Sequence, residues 1–166
     1  MKILKELYSY IIIIIVVVLF RTFIATPVRV DGSSMDDTLA NNDILILNKL
    51  DNNYERFDIV VINYNKTKLI KRIIGLPGEN IEYIDNELYI NGEILKDIDT
   101  SRTKDFSLKE LYDVDKIPED YYFVMGDNRG HSLDSRSYQV GLINKKDIVG
   151  TTSIRIFPFT KKFKFN

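Results

Sequence analysis

The chain has 166 residues, room for one domain with a small appendage. Its 45% hydrophobic and 28% charged residues are a globular mixture, and its net charge of −1 argues against a nucleic-acid binder, which carries a basic face. It has no cysteine and one histidine, which excludes disulfides, a thiol nucleophile and any two-histidine metal motif, and leaves a Ser-His-Asp triad resting on His131 alone.

The first element is apolar. Leu7 to Phe20 runs about 14 residues without a charge, and Phe23, Ile24 and Ala25 extend it past Arg21 to about 19 positions, close to the roughly 20 that a bilayer crossing needs. In lipid such an Ile/Val run must be helical, because its backbone groups have no other partner. A transmembrane anchor is the expected reading. The alternatives are a removable signal peptide, whose small-residue cleavage position is spoiled by Phe23, and a buried core helix. Lys2 and Lys5 face Arg21 and Arg29 across the span, so charge alone orients it weakly. The chain divides into residues 1–26, the short cytoplasmic end with the anchor, and residues 27–166.

The second part has a β texture. Asp43–Lys49, Phe57–Tyr64 and Lys68–Ile74 are β-branched runs between polar breaks. Ile81–Ile84 and Glu87–Ile90 flank a hairpin turn at Asp85-Asn86, and Asn91-Gly92 marks another. A short helix falls within Asp105–Asp115, and Tyr121–Met125 and Asp147–Phe157 complete the strands. The expected fold class is mainly β: an antiparallel sheet or partly open barrel behind one N-terminal transmembrane helix.

Three stretches hold candidate chemistry. In Asp31–Leu39, a glycine beside Ser33 and Ser34 can expose a serine nucleophile; it also reads as a plain Gly-Ser turn with solvated aspartates. Asp37-Thr38 is shared with aspartic proteases, but the following glycine and a second copy are missing. Asp36 and Asp37 also suggest a cation site. In Leu69–Gly78, strand alternation puts Lys71 on one face between Leu69 and Ile73, and Arg72 on the other with Ile70 and Ile74. A buried lysine there, with its pKa lowered by about 3 from its usual value near 10.4, is a usable base; an edge lysine snorkelling past its neighbours is the plainer reading. Gly126–Arg136 is a polar loop after an apolar strand. It is costly to order unless its side chains satisfy one another, and Asp134 is placed to pair with Arg136. Serine, apolar-flanked lysine and ordered polar loop together make a Ser/Lys dyad set.

In this order the residues resemble the bacterial type I signal peptidases, the membrane-anchored Ser/Lys proteases, and in length the small Gram-positive members. The resemblance covers nearly the whole chain: anchor, Ser34-Met35-x-x-Thr38-Leu39, Asp58-Ile59-Val60-Val61, Lys71-Arg72-x-x-Gly75-Leu76-Pro77-Gly78, and Gly126-Asp127-Asn128-Arg129-x-x-Ser132-x-Asp134-Ser135-Arg136. It implies Ser34 as nucleophile, Lys71 as general base, and Ser132 as the hydroxyl that orients the lysine. It further implies an Asp134–Arg136 ion pair, with Asp127, Asn128 and Arg129 shaping the loop behind the site. The oxyanion hole would use the backbone N–H of Ser34; the hydroxyl that some members add two positions earlier is replaced by Gly32. Pro27, Val28, Val30 and Ile70 match positions near the pockets for the small residues one and three places before the cleaved bond. The implied partners are signal peptides of exported preproteins and the lipid bilayer. No metal, cofactor or nucleic acid is implied.

One departure stands out. The family's serine box carries proline where this chain has Asp37, so the turn after the nucleophile is less pre-set. Asp36 and Asp37, if they reach Lys71, would hold it protonated. Two other functions share parts of the pattern. A catalytically silent signal-peptidase-like assembly factor is supported only by Asp37. A self-cleaving repressor-type Ser/Lys protease is opposed by the anchor. The aromatic and basic alternation from Phe157 to Phe165 suits either a membrane interface or the frayed end of a last strand.

Overall fold

The computed structural model describes residues 2–98 and 102–159. Helix α1 (Lys2–Phe23) carries the apolar run, and its described side chains are exposed throughout. Its Glu6–Phe23 stretch has a mean hydropathy of 2.0 and is long and apolar enough to cross a membrane.

The rest is mainly antiparallel sheet. Strands β1 (Ala25–Arg29), β2 (Ile44–Asn48), β3 (Ile59–Tyr64) and β4 (Thr67–Gly75) come first. A small hairpin unit follows, with β5 (Ile81–Ile84), β6 (Glu87–Ile90) and β7 (Glu93–Leu95). Then come β8 (Phe106–Ser107), α2 (Leu108–Tyr112), β9 (Tyr121–Met125), β10 (Ile143–Asn144), a single 3-10 turn at Lys145–Asp147, and β11 (Ile148–Phe157). The larger sheet has the order β1-β2-β11-β3-β4-β9-β10 and the smaller β7-β6-β5-β8. Neither closes on itself, so the fold is two open sheets rather than a closed barrel.

The expected strands are present: β5, β6 and β9 keep their expected bounds, β2, β3 and β11 lose one or two residues at their ends, and β4 gains one at each end. Asp85 and Asn86 have φ of 51° and 70°, and Asn91 and Gly92 have 53° and 83°; positive φ at both central residues gives the hairpin turn whose twist matches its strands. Asn65 and Lys66 do the same between β3 and β4, a turn that lacks the glycine signature. The short helix is set by its cap. Ser107 accepts from the Glu110 N–H while the Glu110 carboxylate accepts from the Ser107 N–H, a reciprocal capping box. Strands β7, β8 and β10, of two or three residues each, were too short to carry a periodic signal.

Three apolar clusters position the site. Ile74, Ile81, Tyr83, Phe106, Phe123 and Met125 join the two sheets. Val60, Ile62, Ile73, Val124 and Ile148 fill the middle of the larger sheet. Val30, Met35, Leu39, Leu45 and Ile59 pack beneath the serine loop, so that Met35, next to Ser34, is itself a core residue. Burying a side chain of this size is worth roughly 1.5–3 kcal/mol, which offsets the cost of ordering the turn.

Candidate active site

Ser34 sits where β1 gives way to a compact turn. The Val30 N–H donates to the Asp43 carbonyl and the Asn42 N–H to the Val30 carbonyl, which ties both ends of the loop. Inside it, the Asp36 N–H donates to the Ser33 carbonyl and the Leu39 N–H to the Met35 carbonyl. Arg155, from β11, braces the far side: it donates to the Thr38 carbonyl and pairs with Asp43 at 2.8 Å, both charges buried. Sequence reading gave Arg155 and Asp43 no part in the site.

Lys71 reaches this loop from β4. Its side chain is buried, and Nζ lies 2.6 Å from Ser34 Oγ, to which the ammonium donates. Burial pushes the Lys71 pKa from 10.5 down to about 8, against the attraction of Asp134 and Asp127 and with help from Arg136. Of the two readings of Lys71, the buried lysine is the one the structure has, not the edge lysine snorkelling past its neighbours. The charges that act on it are Asp134, Arg136 and Asp127; Asp36 and Asp37 are not among them, which removes the expectation that they hold it protonated.

The polar loop is ordered by its own side chains. Arg72, beside Lys71, makes a two-pronged pair with Asp127 at 2.8 and 2.6 Å, with both residues buried, and also donates to the Phe57 carbonyl at 2.7 Å. The Asn128 N–H donates to the Ser34 carbonyl at 3.1 Å, and its Nδ2 donates to the Ser33 carbonyl at 3.0 Å. Asn128 thus holds the backbone of the serine itself. Arg129 turns the other way. It pairs with Asp97 at 2.6 Å and donates to the Tyr83 hydroxyl at 2.7 Å, tying the loop to the smaller sheet.

Asp134 and Arg136 form the expected pair, at 2.9 and 2.8 Å. Burial opposes the Asp134 charge, but Arg136, the Gly126 N–H and the Ser132 hydroxyl outweigh it and hold the carboxyl below its usual range. Ser132 Oγ is enclosed beside that carboxylate without a well-formed hydrogen bond, and it makes none with Lys71. The lysine-orienting contact that the resemblance implies for Ser132 is not formed.

Gly126 has no room for a side chain: a Cβ there would lie 2.2 Å from Ser132 Oγ and 2.3 Å from the Ser34 carbonyl oxygen. A glycine opening a polar loop after an apolar strand was the available signal. Arg72 was legible as a charge on the face opposite Lys71 and as a member of the lysine box, but with no partner assigned. His131 is exposed, and its N–H donates to the Asn128 carbonyl. Asp37 has a φ of 86°, where proline, locked near −65°, cannot go.

A cleft of about 200 Å³ runs beside the pair and is lined by Ser34, Lys71, Val28, Val30 and Ile70 among others. Pro27 lies outside its lining, exposed on β1. Among the described residues no three His, Asp or Glu side chains gather as a metal set. Chemically the arrangement offers a hydroxyl next to an amine whose pKa is lowered to about 8, in a cleft lined by both apolar and charged side chains.

The comparisons point to one family. The profile of the signal peptidase, peptidase S26 family matches residues 3–157. Signal peptidase I P of Bacillus subtilis subsp. natto is 42% identical over 164 residues, covering 92% of this chain and 88% of that protein. Signal peptidase I S of Bacillus subtilis strain 168 is 38% identical over 175 residues, covering 99% and 95%. A crystal structure of a signal peptidase I from Enterococcus faecalis shares 36% identity and a TM-score of 0.53, covering 59% of this chain and 95% of that one. Helix α1 is consistent with a membrane-anchored member. From the match over nearly its whole length, the chain belongs to the signal peptidase family, peptidase S26, and is a peptide-hydrolysing enzyme.

Proposed function

We propose that the chain is a membrane-anchored serine endopeptidase that removes signal peptides from exported preproteins after a small-x-small site. Residues 1–26 anchor it, and residues 27–166 form the catalytic part on the extracytoplasmic side. The observation that carries this reading is the 2.6 Å contact between Lys71 Nζ and Ser34 Oγ, made by a lysine whose pKa has fallen to about 8. At pH 7 about one such lysine in ten is neutral, against about one in 2,500 for a free one.

In the neutral state the contact reverses: the Ser34 hydroxyl donates to Nζ. Lys71 takes that proton as Oγ attacks the scissile carbonyl, and the negative charge on the former carbonyl oxygen faces the Ser34 N–H. Collapse breaks the C–N bond, and Lys71 returns its proton to the leaving amine of the mature protein. Water then gives a proton to Lys71 and attacks the ester; as the ester C–O bond breaks, Lys71 passes that proton to Ser34 Oγ, which releases the signal peptide and restores both the hydroxyl and the neutral amine. Asp134, Arg136, Asp127 and Arg72 hold the charge balance and the loop, while Asn128 fixes the serine backbone. Val28, Val30 and Ile70 line the cleft and would receive the small side chains. The formed pair favours this enzyme over a silent assembly factor.

The test is cleavage of a preprotein with a small-x-small site in detergent micelles, comparing wild type with Ser34→Ala and Lys71→Ala. Cleavage after that site, abolished by both substitutions, is expected. Cleavage that survives Lys71→Ala would overturn the dyad. Well-folded wild type that cleaves no preprotein would turn the reading toward the silent factor.

A further inference from the structure

The helix and the sheet are joined without a linker. Helix α1 ends at Phe23, and β1 begins at Ala25, already paired with Asn48 of β2. The last carbonyls of a helix have no partner within it. Here they are met from the sheet. Lys49 Nζ donates to the Arg21 carbonyl at 3.0 Å and to the Thr22 carbonyl at 3.1 Å, and Thr26 Oγ1 donates to the Arg21 carbonyl at 2.6 Å. The Lys49 N–H donates to the Ile24 carbonyl at 2.9 Å. A cation at the C-terminal end also complements the helix dipole.

The junction is surrounded by exposed apolar side chains: Phe23, Ile24 and Leu50, next to Lys49. An apolar collar with a lysine head at its rim suits the boundary between hydrocarbon and headgroups. From that boundary to Ser34 the chain is held almost continuously, through the β1–β2 ladder and then the Val30–Asp43 and Gly32–Asn41 hydrogen bonds.

We infer that Lys49 is a positioning residue, a latch that locks the anchor to the sheet and thereby fixes the height of Ser34 above the bilayer. This rests on the proposed cleavage of membrane-borne substrates. A substrate helix held in the same bilayer presents its cleavage site at a set depth. A serine at a matching fixed depth meets it at high effective concentration, and one that swings on a loose hinge does not. A soluble peptide carries no depth information and gains nothing from the latch.

The test uses the full chain in lipid vesicles, with Lys49→Met to remove the donor at similar length and Lys49→Arg to restore it. A Gly-Gly-Ser insertion between Ile24 and Ala25 supplies an independent loosening. Each is assayed on a membrane-inserted preprotein and on a short soluble peptide with the same small-x-small site. Lys49→Met and the insertion should lower kcat/KM for the preprotein about tenfold while leaving the peptide within about twofold, and Lys49→Arg should recover most of the loss. Equal losses on both substrates, or none on either, would overturn the latch.

A second readout needs no activity. The chain has no cysteine, so Lys146→Cys gives a single labelling site on the exposed surface. Energy transfer from that label to acceptor lipids should report one narrow height in the parent and a broader, shifted one with Lys49→Met. An unchanged distribution sinks the inference even if the enzyme cleaves preproteins. A broadened one in an enzyme that cleaves nothing supports the latch and discards the substrate reading.

Discussion

Lys71 Nζ and Ser34 Oγ lie 2.6 Å apart across 37 residues of sequence, with the lysine buried and titrating at about 8. Attack by Ser34 needs the neutral amine, so the rate follows the fraction of Lys71 without its proton. The expected profile of kcat/KM rises about tenfold per pH unit from pH 6 and levels above about pH 8. Initial rates on a soluble peptide between pH 6 and 10 check this. A profile flat from pH 6 would mean that another group supplies the base.

The same pKa carries a stability cost. In the unfolded chain Lys71 keeps its proton up to about 10.5; in the folded one it releases it from about 8. Between these values the unfolded state binds more protons, so stability rises with pH across the window, and below pH 8 the full penalty applies. A fall of this size corresponds to about 3 kcal/mol. Lys71→Met should therefore stabilise the protein at pH 7 by up to about 3 kcal/mol, less whatever the lost Ser34 contact contributed, while abolishing activity. Urea unfolding in detergent at pH 7 and pH 10 measures it. The gain should shrink at pH 10, and a gain equal at both values would assign it to packing instead.

Gly126 is pressed between Ser132 Oγ and the Ser34 carbonyl, with no room for a methyl group unless one of them moves. The Ser34 carbonyl is also where the Asn128 N–H docks. Gly126→Ala must push the serine loop away from Asn128, the Ser132 side chain away from Asp134, or both. A displacement of this order at a nucleophile costs about 100-fold in kcat. The check is kcat on a peptide substrate alongside thermal unfolding, and activity within about twofold of wild type would show that the loop yields freely.

Much of this site was legible in the sequence because its parts are short and local. The apolar helix, the β-branched runs and the two Asn- or Gly-bearing turns announce themselves by composition and period. The chemistry needed three segments read together, since Ser34, Lys71 and the polar loop are each ambiguous alone. What escaped were contacts that only the tertiary arrangement creates. Arg72 looked like a strand charge until Asp127, 55 residues later, folded against it. Arg155 reaches the serine loop from the last strand, across 117 residues. The failed Lys71–Ser132 contact is of the same kind: spacing places both residues near the site, but the hydroxyl turns toward Asp134. Of the tail, Phe157 and Phe159 are exposed, and the alternation from Thr160 onward lies outside the described residues.

Asp37 offers the sharpest test of the loop itself. The family's proline at this place suggests that reverting Asp37→Pro would stiffen the turn and improve the enzyme. The backbone argues the opposite. With φ at 86°, Asp37 is in a conformation closed to proline and uncomfortable for any residue with a Cβ. Asp37→Pro should force the loop into another turn and destabilise the protein by more than about 1 kcal/mol, with activity falling alongside. Asp37→Gly removes the Cβ strain and should hold stability within about 0.5 kcal/mol of wild type or above it, with the Lys71-dependent pH profile unchanged. Thermal unfolding of the two variants decides between them. A more stable, more active proline variant would show that the loop readily adopts the family's turn and that the positive φ at Asp37 is not what holds Ser34 against Lys71.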